Sequence, residues 1–446
     1  MESKKAGCAS TSGRTVKNKE NRKVLMTASV ASMIDQFNMQ NIRLLQQLGY
    51  EVHAACNFIE GNTCDEQRIR KFQRMLKMMG VYCHQWDCPR NLWSIAKGFY
   101  AYRHMLRLLE CHSFAWIHCH SPIGGALARI AAHQKKVRVV YTAHGFHFYK
   151  GAPMLSWLLF YPVEKLLAHW TDVLITVNKE DYRLAKKKLK AQKVFYTPGA
   201  GIDTGRFWNG NVQKRQQERE AFRKRYKMSK DVFVLLSVGE LSRNKNHQAV
   251  ISALAGMPDR EIHYFICGQG KLKKYLLRKA EKNGVAGRVH ILGYQENISE
   301  FYRSADLFVL PSRREGLSAA LIEAMASGLP CVVSDIRGNR ELIGRGQKLC
   351  TGSFDRRLIH RRLIHSSDSS CADCGSACGG ILFPPMQTER LAEALEVFME
   401  NPQLRHDAGC YNRKRVRKYD VTKVSRRMEW IYEYMGNITG KEKAGP

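Results

Sequence analysis

The sequence predicts an α/β protein with two doubly wound domains of parallel strands, which face each other across a cleft. Short apolar, β-branched runs alternate with helical patterns, and 446 residues are enough for two hydrophobic cores. A polar and charged segment, Gly205–Asp231, separates two such series. We therefore expect a ligand site at the carboxyl ends of the strands, between the domains.

The first series predicts a domain over residues 23–203. Its expected strands are Lys23–Ala28, Val52–Ala55, Trp116–Cys119, Val137–Thr142, Val173–Val177 and Val194–Tyr196. Its expected helices include Gln40–Leu48, Ile123–Gln134 and Glu180–Leu189. Residues 1–22 are polar and basic and lack the apolar core of a secretory signal, which predicts a disordered tail.

The second series predicts a domain over residues 204–420, followed by a helix and tail over 421–446 that can pack on either domain. Its expected strands are Val232–Val238, Ile262–Cys267, Val289–Leu292, Asp306–Leu310 and Cys331–Ser334. Residues 345–380 contain a tandem Arg-Arg-Leu-Ile-His repeat and predict an atypical surface insertion. Cys371, Cys374 and Cys378 near its end fall short of a paired zinc pattern, so a Ser/Gly/Cys loop is the better interpretation.

The amino-acid composition limits the kinds of molecule that the protein can bind. The net charge is +32, from 72 Lys+Arg against 40 Asp+Glu, which suits a nucleic acid, an anionic membrane surface or an anionic substrate. The chain has no basic recognition helix and no aromatic RNA platform, so nucleic-acid binding is disfavoured. It also lacks an apolar stretch of about 18 residues, and its 14 cysteines lie mostly in apolar segments, typical of reduced buried thiols.

Two glutamates carry the strongest functional signal. Glu315 follows an apolar strand pattern, and Glu323 lies within the helix pattern that comes next. The backbone amides of Gly316, Leu317 and Ser318 stand between them, where a glycine-opened helix start can bind an anion. Two carboxylates around an anion site suit a diphosphate between two polyols, because carboxylates accept hydrogen bonds from diols. The spacing therefore predicts a nucleotide-sugar site.

A second strand end supplies positive charge. Gly239 follows the strand Val232–Val238, and a glycine there lets a ligand approach the backbone. Lys245 lies a few residues later and can neutralise a diphosphate, with Arg243 as a second candidate; a basic turn before a helix is the alternative. Gly268, after the strand Ile262–Cys267, can line the same site or simply form a turn.

The first domain offers a histidine at a strand end. His144 follows the strand Val137–Thr142 and precedes a glycine, which is where an α/β domain places active-site groups. Farther along, Lys150–Trp170 is apolar and aromatic with basic ends. That pattern fits either shallow insertion at a membrane interface or a helix buried against its own domain.

These motifs together resemble the family 4 glycosyltransferases, which are retaining enzymes with the two-domain GT-B fold. Glu315 and Glu323 match the E-x7-E signature of that family, and the stretches around His144 and Lys245 are similar to its branch for bacterial capsular and extracellular polysaccharide. The resemblance implies that Glu315 contacts the donor sugar and Glu323 the ribose. It implies that Lys245 and the Gly316–Ser318 amides bind the diphosphate, with His144 beside the sugar and acceptor. Glu240 stands where many members carry arginine.

The resemblance also implies a reaction. We expect retaining transfer of a hexose or N-acetylhexosamine from a nucleotide-sugar, UDP-linked by preference, without a metal or other cofactor. The expected acceptor is an oligosaccharide or a polyprenyl-diphosphate-linked saccharide. The expected location is the cytoplasm, peripherally on the anionic inner face of the plasma membrane. A nucleotide-sugar epimerase of the same fold is the main alternative, and a basic nucleic-acid-binding protein is a weaker one.

Overall fold

A computed structural model describes residues 22–91, 94–208, 210–344, 347–348 and 378–437. Its strands form two seven-stranded sheets in which neighbouring strands are parallel, and helices connect the successive strands from β1 to β13. The predicted tail over residues 1–22 lies almost wholly outside the described residues. So do Cys371 and Cys374 of the predicted insertion.

The first sheet has the order β3-β2-β1-β4-β5-β6-β7. Its strands are β1 Lys23–Val30, β2 Glu51–Asn57, β3 Tyr82–Gln85, β4 Phe114–His120, β5 Arg138–Ala143, β6 Val173–Thr176 and β7 Lys193–Tyr196. Its helices are α1 Ala31–Phe37, α2 Met39–Gln47, α3 Glu66–Met78, α4 Ile95–Cys111, α5 Pro122–Gln134, α6 Met154–Ala168 and α7 Lys179–Lys188. The central strands are buried on both faces, which explains why they read as continuous apolar runs.

The second sheet has the order β10-β9-β8-β11-β12-β14-β13, which repeats the first five positions of the first sheet and exchanges the last two strands. Its strands are β8 Phe233–Val238, β9 Ile262–Cys267, β10 Val289–Gly293, β11 Leu307–Leu310, β12 Cys331–Ser334, β13 Gln347–Lys348 and β14 Gly380–Phe383. Its helices are α8 Thr204–Phe207, α9 Val212–Arg225, α10 His247–Ala255, α11 Lys273–Lys282, α12 Ile298–Ser304, α13 Ala319–Ala326, α14 Arg337–Ile343, α15 Thr388–Glu400 and α16 Pro402–Val416. Two 3-10 turns, Ala286–Arg288 and Arg417–Tyr419, complete it.

The last helix, α17 (Val421–Asn437), returns to the first sheet. Its buried face packs into the core around β1 and β2 through Val424, Met428, Ile431, Tyr432 and Met435. The two chain crossings between the sheets lie side by side: the Ile202 amide donates to Tyr419 O at 3.1 Å, and the Val421 amide donates to Ile202 O at 2.8 Å. The sequence left the partner of this helix open, and the structure assigns it to the first sheet.

Three short strands were not predicted. The edge strand β3 has the sequence Tyr-Cys-His-Gln and is mostly half-exposed, so it lacks an apolar run. Both ends of the predicted 345–380 insertion belong to the second sheet, as β13 and the start of β14. Gly380 packs so closely on β12 that an added Cβ would lie 2.0 Å from Cys331 O. Gly380 therefore belongs to a closely packed strand and not to a loop. Cys378 is buried in the core beside it.

Candidate functional site

Lys245 and Glu315 meet at the carboxyl edge of the second sheet. Lys245 follows β8 and Glu315 follows β11, and these strands are neighbours, so their loops are adjacent. The Lys245 ammonium donates to Glu315 Oε1 at 2.7 Å, and both side chains are mostly buried. An added Cβ at Gly239 would lie 3.0 Å from Lys245 Cε, so the glycine makes room for the lysine stem.

The segment after Glu315 leads into α13. Ser318 caps the helix, because its hydroxyl accepts from the Leu321 amide at 3.3 Å. The helix itself begins at Ala319, so the amides of Gly316, Leu317 and Ser318 precede its first turn. Within the described residues these three amides donate to no protein acceptor. They are therefore available to an anion at the positive end of the helix.

Glu323 lies four residues after the start of α13 and is held by a buried tyrosine. Tyr302 donates from its hydroxyl to Glu323 Oε2 at 2.9 Å, and the tyrosine is fully buried. Burial raises the pKa of Glu323 to about 7, although the Tyr302 hydrogen bond favours the ionised form. The carboxyl group is thus poised between its two protonation states near neutral pH.

His144 stands opposite, at the carboxyl end of β5 in the first sheet. Its Nε2 lies 3.1 Å from Nδ1 of His120, at the end of the neighbouring β4. Burial lowers the pKa of His144 to about 4 and lowers the pKa of His120 as well. Both imidazoles are therefore neutral at pH 7 and can exchange hydrogen bonds with hydroxyl groups.

Backbone glycines bring the two halves of the site into contact. An added Cβ at Gly316 would lie 1.8 Å from His144 O and 3.2 Å from Cα of Gly145. Gly338 packs behind Gly316 in the same way, with its added Cβ 2.6 Å from Gly316 O. Gly145 has φ of +134°, which favours glycine as well. His144 consequently lies directly against the loop that carries Glu315.

A buried ion pair joins α14 of the second sheet to α7 of the first. Arg337 Nη1 donates to Asp181 Oδ1 at 2.5 Å, and Nη2 donates to Phe146 O at 2.6 Å. Glu341, one turn later, accepts from the Lys179 amide and the Tyr196 hydroxyl, each at 2.7 Å. These contacts hold the His144 loop against the Glu315 loop.

The structure places the two weaker candidates, Gly268 and Arg243, in different surroundings. Gly268 lies against Gly239, and an added Cβ would come within 1.9 Å of Gly239 O, so the glycine serves close backbone packing. Arg243 is exposed and lines a groove of about 280 Å³ with Tyr275 and Arg313. The structure thus brings together Lys245, Glu315, Gly316 and His144, with Glu323 farther along α13, and sets Arg243 at the margin.

Sequence reasoning missed several supporting residues. Tyr302 holds Glu323, His120 contacts His144, and the Arg337–Asp181 pair bridges the halves. These partners are distant in sequence, so periodicity gives no signal for them. The one available signal was the position of His120 at a strand end.

The apolar segment after His144 forms α6, with one face packed and one face exposed. Trp157, Phe160 and Tyr161 pack against the first core. The other face exposes a stripe of large apolar side chains: Met154, Leu155, Leu158, Leu159, Val163 and Leu166. The packed face agrees with the interpretation as a helix buried against its own domain, and insertion of the exposed face at a membrane stays a prediction. In the described part of the chain, no helix is long and apolar enough to span a bilayer.

Comparison with protein families matches both sheets. A model described as Glycosyltransferase Family 4 matches residues 38–206, and one described as Glycosyl transferases group 1 matches residues 218–365. The chain is 32% identical over 434 residues to EpsD of Bacillus subtilis (strain 168), a protein classed as a glycosyltransferase, with 95% of this chain and 99% of that protein covered.

Two further comparisons are informative. Over 262 residues the chain is 30% identical to the UDP-Gal:α-D-GlcNAc-diphosphoundecaprenol α-1,3-galactosyltransferase of Escherichia coli, covering 57% of this chain and 66% of that enzyme. The fold matches Anabaena Alr3699/HepE, solved in complex with UDP and glucose, with a TM-score of 0.68 at 15% identity. That match covers 93% of this chain and 99% of the other, and it shows the fold alone.

Proposed function

This chain is a member of the family 4 glycosyltransferases and has their two-domain GT-B fold, and we propose that it builds a surface polysaccharide by retaining transfer from a UDP-sugar. The transferred group is a hexose or N-acetylhexosamine, and the acceptor is a polyprenyl-diphosphate-linked saccharide. The Lys245–Glu315 pair, placed against the His144 loop, is the observation that carries the proposal. The named substrates of the Escherichia coli relative support the choice of donor and acceptor.

On the donor side, each group has a distinct task. Lys245 and the amides of Gly316, Leu317 and Ser318 bind the diphosphate, where negative charge grows as the sugar leaves. Glu315 accepts hydrogen bonds from the sugar hydroxyls while it keeps Lys245 oriented. Glu323, presented by Tyr302, binds the ribose diol. We assign the sugar to Glu315 and the ribose to Glu323 because Glu315 lies on the loop before α13 and Glu323 lies within the helix.

On the acceptor side, His144 is a neutral hydrogen-bonding group beside the reacting sugar. His120 fixes its ring, and Gly316 lets it approach the donor loop. The acceptor hydroxyl attacks the anomeric carbon from the face that the diphosphate leaves, and a diphosphate oxygen takes its proton. No protein nucleophile is assigned, and the donor provides both leaving group and base.

A lipid-linked acceptor requires the enzyme at a membrane surface. We assign that contact to the exposed apolar face of α6 and the basic side chains around it, which include Lys150, Lys165 and Lys188. The net charge of +32 favours an anionic leaflet, the cytoplasmic face of the plasma membrane. The enzyme is expected to co-sediment with vesicles that contain anionic lipid at low salt. The double substitution Leu155→Ser/Leu158→Ser is expected to lower the fraction of enzyme bound to the vesicles.

Donor binding and turnover test the proposal together. Thermal stabilisation by a panel of nucleotide-sugars identifies the donor, and turnover with polyprenyl-diphosphate-linked saccharides identifies the acceptor. The anomeric coupling constant of the product is expected to match that of the donor. An inverted product overturns retention. Absence of turnover with every lipid-linked acceptor, with UDP affinity unchanged in Glu323→Ala, overturns the assignment. Release of UDP and an altered sugar without acceptor indicates the epimerase.

A further inference from the structure

Three histidines converge at the outer edge of the first sheet, away from the cleft. His53 lies on β2, His84 on the edge strand β3, and His112 in the turn between α4 and β4. One ring nitrogen from each lies within 4.8 Å of the others. Because His112 precedes β4, the cluster sits near the amino end of that strand, whereas His144 and the donor loops follow carboxyl ends.

The protonation states suit metal ligands. Glu51 accepts from Nε2 of His53 at 2.9 Å, and a carboxylate only accepts, so the lone pair of neutral His53 is on Nδ1. Metal-binding histidines commonly donate their second ring nitrogen to a carboxylate in this way, which fixes the tautomer.

The spacing is close to that of a tetrahedral site. His53 Nδ1 accepts a hydrogen bond from His84 Nε2 at 2.9 Å, so a bound ion replaces this hydrogen bond and the His84 proton moves to its Nδ1. Ligand nitrogens around Zn²⁺ are separated by about 3.3 Å when each bond is about 2.0 Å, so the two rings need to move little. His84 and His112 are only half-buried, so small rotations open the required space. A groove of about 760 Å³, lined by His104, Cys111 and His112 among others, gives solvent access.

We propose that His53, His84 and His112 bind one divalent transition-metal ion, with Zn²⁺ as the test ion and a water molecule at the fourth position. The ion joins β2, β3 and the α4–β4 turn, and so it fastens a four-residue edge strand to the sheet. Three imidazoles suit Zn²⁺ and its neighbours in the first transition row. The site is independent of sugar transfer.

The second sheet provides a matched control. Glu261 just before β9, His263 on β9 and His290 on β10 repeat the Glu51, His53 and His84 pattern. His263 Nδ1 lies 2.9 Å from His290 Nε2. Among the described residues no third ligand approaches that pair. The turn before β11 carries Asp306 instead, which binds Arg219 and Arg223.

The test is a zinc titration of the full-length, chelator-treated protein by isothermal calorimetry. The parent protein for this titration carries Cys371→Ser and Cys374→Ser, so that these two thiols cannot compete for zinc. We expect one site with a dissociation constant below about 1 µM, weakened about 100-fold in His84→Gln and in His112→Gln, and unchanged in His290→Gln. Cobalt substitution is expected to give the intense visible bands of a tetrahedral ion.

Hydrogen exchange gives a second measurement that does not depend on affinity. Zinc is expected to slow exchange of the Tyr82–Gln85 amides in the parent protein and not in His112→Gln, whose metal-free melting temperature serves as the folding check. Equal zinc affinity in parent and His112→Gln overturns the proposal. So does loss of affinity in His290→Gln to the same extent, or zinc binding with no effect on β3.

Discussion

The two sheets share the order of their first five strands and differ in the side chains that they present to the cleft. Both have four strands in the order third-second-first-fourth followed by further parallel strands, and both place their site residues after carboxyl ends. The first sheet presents neutral histidines, His120 and His144, whereas the second presents Lys245, Glu315 and Glu323. Similar scaffolds therefore carry different side chains, and in the function proposed above the first set faces the acceptor and the charged set faces the donor.

The strongest test of this division removes the cation of the second sheet. Lys245→Ala is expected to lower kcat about 10²- to 10³-fold, because the charge that develops on the leaving diphosphate loses its partner. Steady-state turnover with the identified donor measures it. Lys273→Ala, an exposed lysine at the start of α11, is the control. If kcat falls less than tenfold, a group other than Lys245 stabilises the charge on the leaving diphosphate.

The contact between the His144 loop and the Glu315 loop is tested by adding one methyl group at Gly316. Gly316→Ala places a Cβ on His144 O and forces the two loops apart, so kcat is expected to fall about 10²-fold. Donor affinity is expected to change little, because the nucleotide groups remain on the second sheet. Gly287→Ala, where an added Cβ meets nothing within 4 Å, is the matched control. Equal losses of kcat and affinity would contradict separate tasks for the halves.

The two carboxylates are expected to fail differently. Glu323→Gln weakens UDP binding about tenfold or more, because a charge-assisted bond to the ribose is lost. Glu315→Gln lowers the transfer rate while UDP still binds. Calorimetry with UDP and single-turnover kinetics separate the two effects. Equal loss of UDP affinity in both variants would argue against the assignment of sugar to Glu315 and ribose to Glu323.

The smallest expected effect is a pH dependence of donor affinity. The raised pKa of Glu323, about 7, leaves it protonated below that pH in the free enzyme, while ribose binding favours the carboxylate. Affinity for a UDP-sugar is therefore expected to rise up to about tenfold from pH 6 to pH 8, with proton release on binding at the lower pH. A UDP-sugar is preferred to UDP because its diphosphate does not titrate in this range. In Glu323→Gln the affinity for the UDP-sugar is expected to be nearly independent of pH. A steep pH dependence in that variant would show that another group titrates.

The same shift has a consequence for the enzyme without ligand. The folded protein holds a proton on Glu323 that the unfolded chain releases above its ordinary pKa of 4.5. Stability contributed by this group is therefore lost as pH rises from about 4.5 to about 7.

Local pattern predicted the central strands and the positions of the site residues, and it failed where partners are distant. β8 and β11 are short, buried and apolar, so their ends, and with them Lys245 and Glu315, could be located from sequence. β3 is an exposed edge strand without that pattern. Tyr302 under Glu323 and Asp181 under Arg337 are long-range contacts that only the packed chain creates.

The return of α17 to the first sheet bears on the order in which the protein is made. Strands β1 to β7 leave the ribosome first, yet Val424, Ile431 and Tyr432, which cover part of their core, follow the whole second sheet in the chain. Tyr432 also holds His118, in the strand that carries His120. The second sheet and α17 therefore have to be synthesised before the first sheet can complete its core, although nascent domains generally fold from the N-terminus onward. Chains that terminate before α17 lack part of that core and the Tyr432 contact to His118.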